Sequence, residues 1–192
     1  PNPDPRFAVA VRSGTAGLNT GLVALGIGPG DEVIVPAYTF IASASAVIAA
    51  KAVPIIAEVD DSLTLDPDDL ERLVNRRTKA IMPVHMRGAP CDMDRIMAVA
   101  RRHDLRVIED VAQADGASYR GQRLGTFGEI GAFSLQFHKV ITTGYGGVLI
   151  CNDQPLYARA RRSPDGASPF RGGAAPLFDP ILPRMPTGVG GR

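Results

Sequence analysis

The chain has 192 residues, enough for one full domain and too few for two large ones. Hydrophobic residues make up 45% and charged residues 21%, the balance of a folded globular protein, and the formal net charge of +1 gives no argument for a nucleic-acid partner or an anionic membrane. No apolar run approaches the roughly 18 residues of a membrane span. The opening Pro1-Asn2-Pro3-Asp4-Pro5 lacks the order of a signal peptide, a basic region and then an apolar core. The two cysteines, Cys91 and Cys151, make no disulfide framework, so a soluble cytoplasmic domain is expected.

Short apolar runs predict strands over residues 7–11, 32–35, 53–57, 79–84, 106–109, 132–135 and 147–151. Most are apolar on both faces, as strands covered by helices on two sides must be. Between them, residues 16–25 carry Leu18, Leu22 and Leu25 at helical spacing. Asp66-Pro67 reads as an N-cap followed by a first-turn proline, ahead of Leu70, Leu73 and Val74. Residues 92–103 place Ile96, Val99 and Ala100 on one face. This alternation predicts an α/β domain over residues 1–162, with a mostly parallel central sheet flanked by helices. From 163 to 192, 6 Pro and 6 Gly interrupt any periodicity, which predicts a loop leading toward a further segment.

Four local patterns carry chemistry. Ser13-Gly14-Thr15 lies between a strand and a helix, where free backbone N–H groups and a hydroxyl suit a phosphate; an ordinary N-cap with a glycine turn is the reading that spacing alone favours. Asp110 ends an apolar strand, with Gln113 three residues on, and in α/β sheets ligands bind outside the carboxyl ends of strands. A helix N-cap is the alternative for Asp110. Lys139 is a lone lysine in apolar and hydroxyl-rich surroundings, where burial would favour the free amine of Schiff-base chemistry; a surface loop lysine is its alternative. His85 follows a strand and is a candidate for lining a pocket, whereas His103 suits a helix C-terminus. The histidines show no metal-ligand spacing, and there is no Walker or hydrolase motif. Gly26-Ile27-Gly28-Pro29-Gly30 follows a helix and reads as a turn.

Taken together in order, these segments resemble the DegT/StrS family of pyridoxal-phosphate-dependent sugar aminotransferases. The resemblance runs from Val9 to Asp153 through Ser13-Gly14-Thr15-Ala16, Gly28-Pro29-Gly30-Asp31-Glu32-Val33-Ile34-Val35-Pro36, Tyr38-Thr39-Phe40, Pro83-Val84-His85, Asp92-Met93-Asp94, Glu109-Asp110-Val111-Ala112-Gln113-Ala114, and Phe133-Ser134 to Lys139 and Thr142-Thr143-Gly144. It implies the large domain of a fold-type-I aminotransferase, working as a homodimer. It further implies that Lys139 bonds the cofactor aldehyde and acts as base and acid, and that Asp110 pairs with the protonated pyridine nitrogen. By the same carry-over, Gln113 contacts the ring hydroxyl, Phe40 stacks on the ring, and Gly14, Thr15, Ala16 and Ser134 hold the phosphate. The implied reaction is a two-stage transfer from glutamate or glutamine to a keto sugar, nucleotide-linked, or a keto-cyclitol.

The chain departs from the family in three ways. Family members extend beyond both ends, so this chain resembles a form truncated at both. Tyr145 stands where the family commonly has Glu after the lysine, close to the pocket or its mouth, unless it packs beside Val140 and Ile141. No Asn is found near Gly190, where relatives often carry one that reaches the partner subunit's phosphate. Two alternatives stand beside the enzyme: a truncated non-catalytic homologue that binds cofactor or serves assembly, and a same-fold sugar dehydratase. The dehydratase has His in place of the lysine, and Lys139 argues against it.

Overall fold

Strands and helices alternate through residues 5–163, which the computed structural model describes. The strands are β1 (Phe7–Val11), β2 (Glu32–Pro36), β3 (Val53–Ala57), β4 (Thr78–Ile81), β5 (Arg106–Asp110), the two-residue pair β6 (Ser118–Tyr119) and β7 (Gln122–Arg123), β8 (Ile130–Ser134) and β9 (Gly147–Cys151). The helices are α1 (Gly14–Ala24), α2 (Ala42–Ala49), α3 (Pro67–Leu73), α4 (Met93–Arg102) and α5 (Gln154–Arg162). Seven strands form one sheet in the order β1-β9-β8-β5-β4-β2-β3. Only the pairings of β9 with β1 and β8 are antiparallel. The sheet is therefore mostly parallel, as the sequence pattern predicts.

Helices α2 and α5 both pack against α1 on one side, and α3 packs against α4 on the other. Two cores follow from this layering. One joins Leu18 and Leu22 of α1 and Leu156 of α5 to Val33, Val35, Ile108 and Ile130 of the sheet. The other joins Leu70, Ile96 and Val99 to Ile34, Ile81 and Val107. All five residues of β2 are buried, which explains why Val33, Ile34 and Val35 are apolar without alternation. Each fully buried Leu or Ile contributes roughly 1.5–3 kcal/mol relative to exposure. No helix among the described residues is long and apolar enough to cross a membrane.

The expected helix starts match the observed caps. Asp66 accepts from Asp68 N at the start of α3, with Pro67 in the first turn, and Asp92 caps α4 through Arg95 N. Strand β4 is shorter than the expected 79–84 run. The chain leaves the ladder after Ile81 and rejoins it at one isolated bridge, Val84 to Asp110. Helices α2 and α5 and the β6–β7 pair are additions to the sequence reading. Except for Ser163, the Pro/Gly-rich segment, with Gly190, lies outside the described residues.

Candidate functional site

Because β1, β2, β4, β5 and β8 run in the same direction, their carboxyl ends share one edge of the sheet. The start of α1 with its cap Ser13 and the loops carrying Phe40, Gln113 and Lys139 leave that edge, while Asp110 and Ser134 are the last residues of β5 and β8. A separate groove between α3 and α4 is spanned by its own ion pairs, Asp68 with Arg95 and Glu71 with Arg102, and contains none of these residues.

Asp110 is buried at the centre of this edge. Its Oδ2 accepts the Ser43 hydroxyl at 2.9 Å and its Oδ1 accepts the Ala112 amide at 3.1 Å. The Ala112 bond is the local turn that the capping alternative anticipates, but Ser43 reaches Asp110 from α2, 67 residues away. Burial pushes the Asp110 carboxyl above its ordinary pKa. The two hydrogen bonds and the charge of Lys139 only partly oppose it. Among the described residues no cation forms an ion pair with Asp110. A buried carboxylate held by neutral donors fits a cationic ligand atom, such as a protonated ring nitrogen.

The start of α1 provides the anion side. Ser13 caps the helix by accepting the Ala16 amide at 3.1 Å, so Ala16 N–H is occupied. The Gly14 and Thr15 amides have no carbonyl within the helix. Gly14 packs directly against β8: a Cβ there would stand 2.8 Å from Ser134 Cβ and 3.2 Å from its hydroxyl. Only glycine lets the helix terminus come this close to the Ser134 hydroxyl. Of the residues expected to hold a phosphate, the structure brings Gly14, Thr15 and Ser134 together and leaves the Ala16 amide bonded to Ser13.

Lys139 is half-buried in a loop that closes on itself. Its amide donates to Gln136 O, Thr143 N donates to Leu135 O, and Leu135 N donates to Gly146 O. Its charge favours ionisation of both Asp110 and Asp115. Asp115 has a buried Oδ2 with no partner among the described residues, a feature with no sequence signal beyond its place after Gln113 and Ala114. Tyr145 is 69% exposed, so it does not pack beside Val140 and Ile141, which are themselves exposed. Phe40 is also exposed, and its carbonyl accepts the amide of Ser43. Gln113 Oε1 accepts the Arg87 amide at 3.1 Å, leaving its NH2 group directed elsewhere.

His85 does not line the pocket. It is fully buried, with Nε2 3.2 Å from Glu109 Oε2 and with Nδ1 accepting the Cys91 amide at 3.2 Å. Burial opposes a charge on this ring, while the Cys91 side chain and Glu109 favour one and draw its pKa up to about 9. The Cys91 amide decides between them: an N–H donated to Nδ1 requires a lone pair there. The ring is therefore neutral, with its proton on Nε2 aimed at Glu109. Glu109 also accepts amides from Gly125, Phe127 and Gly128 at 2.7, 2.7 and 2.9 Å. It fixes the loop before β8 and, through the backbone, the position of Asp110 next to it.

Comparison with known proteins places the chain in a family and agrees with its fold. Residues 4–166 match the model of the DegT/DnrJ/EryC1/StrS aminotransferase family, which is pyridoxal-phosphate-dependent. The chain is 52% identical over 157 residues to a GDP-perosamine synthase from Caulobacter vibrioides, covering 81% of this chain and 42% of that protein. It is 49% identical over 153 residues to an L-glutamine:2-deoxy-scyllo-inosose aminotransferase from Micromonospora echinospora, covering 79% of this chain and 36% of that protein. The structure of S. venezuelae DesV in complex with a ketimine intermediate superposes with a TM-score of 0.80 at 45% identity, over 82% of this chain and 43% of that one. The chain thus spans less than half the length of these relatives, and its matched part holds the fold and every candidate residue above. The chain belongs to the DegT/DnrJ/EryC1/StrS aminotransferase family.

Proposed function

We propose that this chain is the pyridoxal-phosphate-binding part of an aminotransferase that moves an amino group from glutamate or glutamine to a keto sugar, nucleotide-linked, or a keto-cyclitol. The observation that carries this reading is Asp110. It is a carboxylate buried at the strand edge, its hydrogen-bond partners among the described residues being Ser43 and Ala112 alone, and it lies at the same edge as the α1 start and the Lys139 loop. When bound, pyridoxal phosphate supplies an amine-reactive aldehyde and an electron-withdrawing ring.

The chain's own residues divide the remaining work. The Gly14 and Thr15 amides at the positive end of α1, with the Ser134 hydroxyl, hold the phosphate. The Asp110 carboxylate keeps the ring nitrogen protonated, and Ser43 orients that carboxylate. Gln113, held by Arg87, presents its amide to the ring hydroxyl, and Phe40 covers one ring face. Lys139 Nζ would hold the aldehyde carbon and, as a free amine, would move the proton at the donor's α-carbon. The dehydratase reading needs histidine in the role of Lys139, and the named relatives are amine-transferring or amino-sugar-forming by name.

We further infer a homodimer, supported by Phe40, Ile41, Phe137, Val140, Ile141 and Tyr145, large side chains that the site loops leave exposed. A cytoplasmic setting is supported by Cys91 and Cys151, which are buried and unpaired. The test of the function is spectroscopic. Pyridoxal phosphate added to the chain should give a yellow protein that glutamate or glutamine bleaches. A protein that stays colourless, or a colour that neither donor changes, contradicts the reading.

A further inference from the structure

Arg87 occupies a backbone conformation that its side chain does not favour. It has φ 53° and ψ 26°, in the left-handed region, and is followed by Gly88 at φ 86°. A non-glycine residue there is strained by its own Cβ. The conformation is held from the site side, because the Arg87 amide donates to Gln113 Oε1. Gly88 packs against the same residue, and a Cβ on it would stand 3.6 Å from the Gln113 carbonyl.

The guanidinium is also positioned. Its Nε donates to the Tyr38 hydroxyl at 3.0 Å, and Tyr38 lies two residues before Phe40 on the loop leaving β2. Arg87 therefore links the loops after β2, β4 and β5 across the strand-end edge. Among the described residues no carboxylate pairs with it, and its two terminal nitrogens have no protein acceptor. An exposed arginine tied down through Nε presents the remaining edge of its fork, the part that grips two oxygens of one anion.

We propose that Arg87 is a substrate-anchoring residue. Its terminal nitrogens take the paired oxygens of a carboxylate or phosphate on the incoming substrate, and Tyr38 fixes their direction. The assignment rests on the aminotransferase reading above. Both proposed substrates bring such a group: the donor its carboxylates, a nucleotide-linked sugar its diphosphate.

The experiment loads the chain with pyridoxal phosphate, follows uptake by absorbance, and then titrates two probes calorimetrically. Glutarate carries the carboxylates of the donor without its amine, and GDP carries a diphosphate without a sugar. Wild type should bind at least one probe, and R87Q should lose tenfold or more in affinity for that probe with cofactor uptake unchanged. R87K should recover only part of the loss, because an ammonium lacks the fork. Y38F, which keeps the charge but frees the guanidinium, should fall between wild type and R87Q. A loss confined to glutarate assigns the donor carboxylate, and one confined to GDP assigns the diphosphate. The assignment is overturned, with the cofactor reading intact, if loaded wild type binds neither probe or if R87Q binds both as wild type does. Loss of cofactor uptake in R87Q also overturns it, placing Arg87 in the cofactor's support through Gln113. Wild type that takes up no pyridoxal phosphate overturns both readings.

Discussion

Asp110 holds a conflict that the free chain does not resolve. Burial raises its pKa, while the proposed chemistry requires the ionised form. The unfolded chain titrates at the ordinary carboxylate value. Between that value and the raised native one, the folded chain keeps a proton that the unfolded chain has released, so stability falls as pH rises through the window. Asp110→Asn removes this cost. Without cofactor, the variant should melt above wild type at pH 7, each kcal/mol appearing as roughly 2–4 °C in a chain of this size. Pyridoxal phosphate should reverse the order, because a cationic ring nitrogen rewards the carboxylate and not the amide. The same variant should lose orders of magnitude in donor-dependent bleaching. Melting curves with and without cofactor check the first two statements, and stopped-flow absorbance checks the third. The residue scale also shows what a linear reading misses. Asp110 is legible at a strand end, but its contact with Ser43 spans 67 residues and has no local signature.

At the scale of elements, the approach of α1 to β8 is what forms the anion cradle. Gly14 allows it, and the Ser134 atoms that a Cβ would meet include Cα at 3.3 Å, so the neighbour has little freedom to yield. Gly14→Ala should push the helix terminus away from Ser134 and cost about 1–3 kcal/mol by overpacking. It should also weaken pyridoxal-phosphate binding tenfold or more, read by absorbance titration. Unchanged affinity would place the phosphate elsewhere. Elements with strong apolar runs or caps are legible in the sequence: β2 through Val33, Ile34 and Val35, α3 through Asp66-Pro67, and α4 through Ile96 and Val99. Helix α2 is not. Its sequence of Ala, Ser, Val and Ile carries no polar face, and its N-cap, Ile41, makes no side-chain bond. Packing of α2 against α1 supplies what the local pattern lacks. Strand β4 reads too long because Met82, Pro83 and Val84 are buried and apolar like a strand, yet they cross to β5 through a single bridge.

For the molecule as a whole, one mostly parallel sheet gathers residues from five loops and strand ends on one edge, and exposed apolar side chains surround that edge. If those side chains meet a second copy, sedimentation of the chain with pyridoxal phosphate should show a dimer. Phe137→Ser with Val140→Ser should shift it toward monomer by tenfold or more in dissociation constant. A wild-type chain that stays monomeric at high concentration contradicts the pairing. The central claim, that Asp110, the α1 terminus and Lys139 act on one cofactor, is tested most directly by covalent trapping. The chain is mixed with pyridoxal phosphate, reduced with borohydride, digested and mapped by mass spectrometry. The label should fall on Lys139 alone and should be absent from Lys139→Ala. A label spread over Lys51 and Lys79, or an unchanged yield from Lys139→Ala, would contradict it.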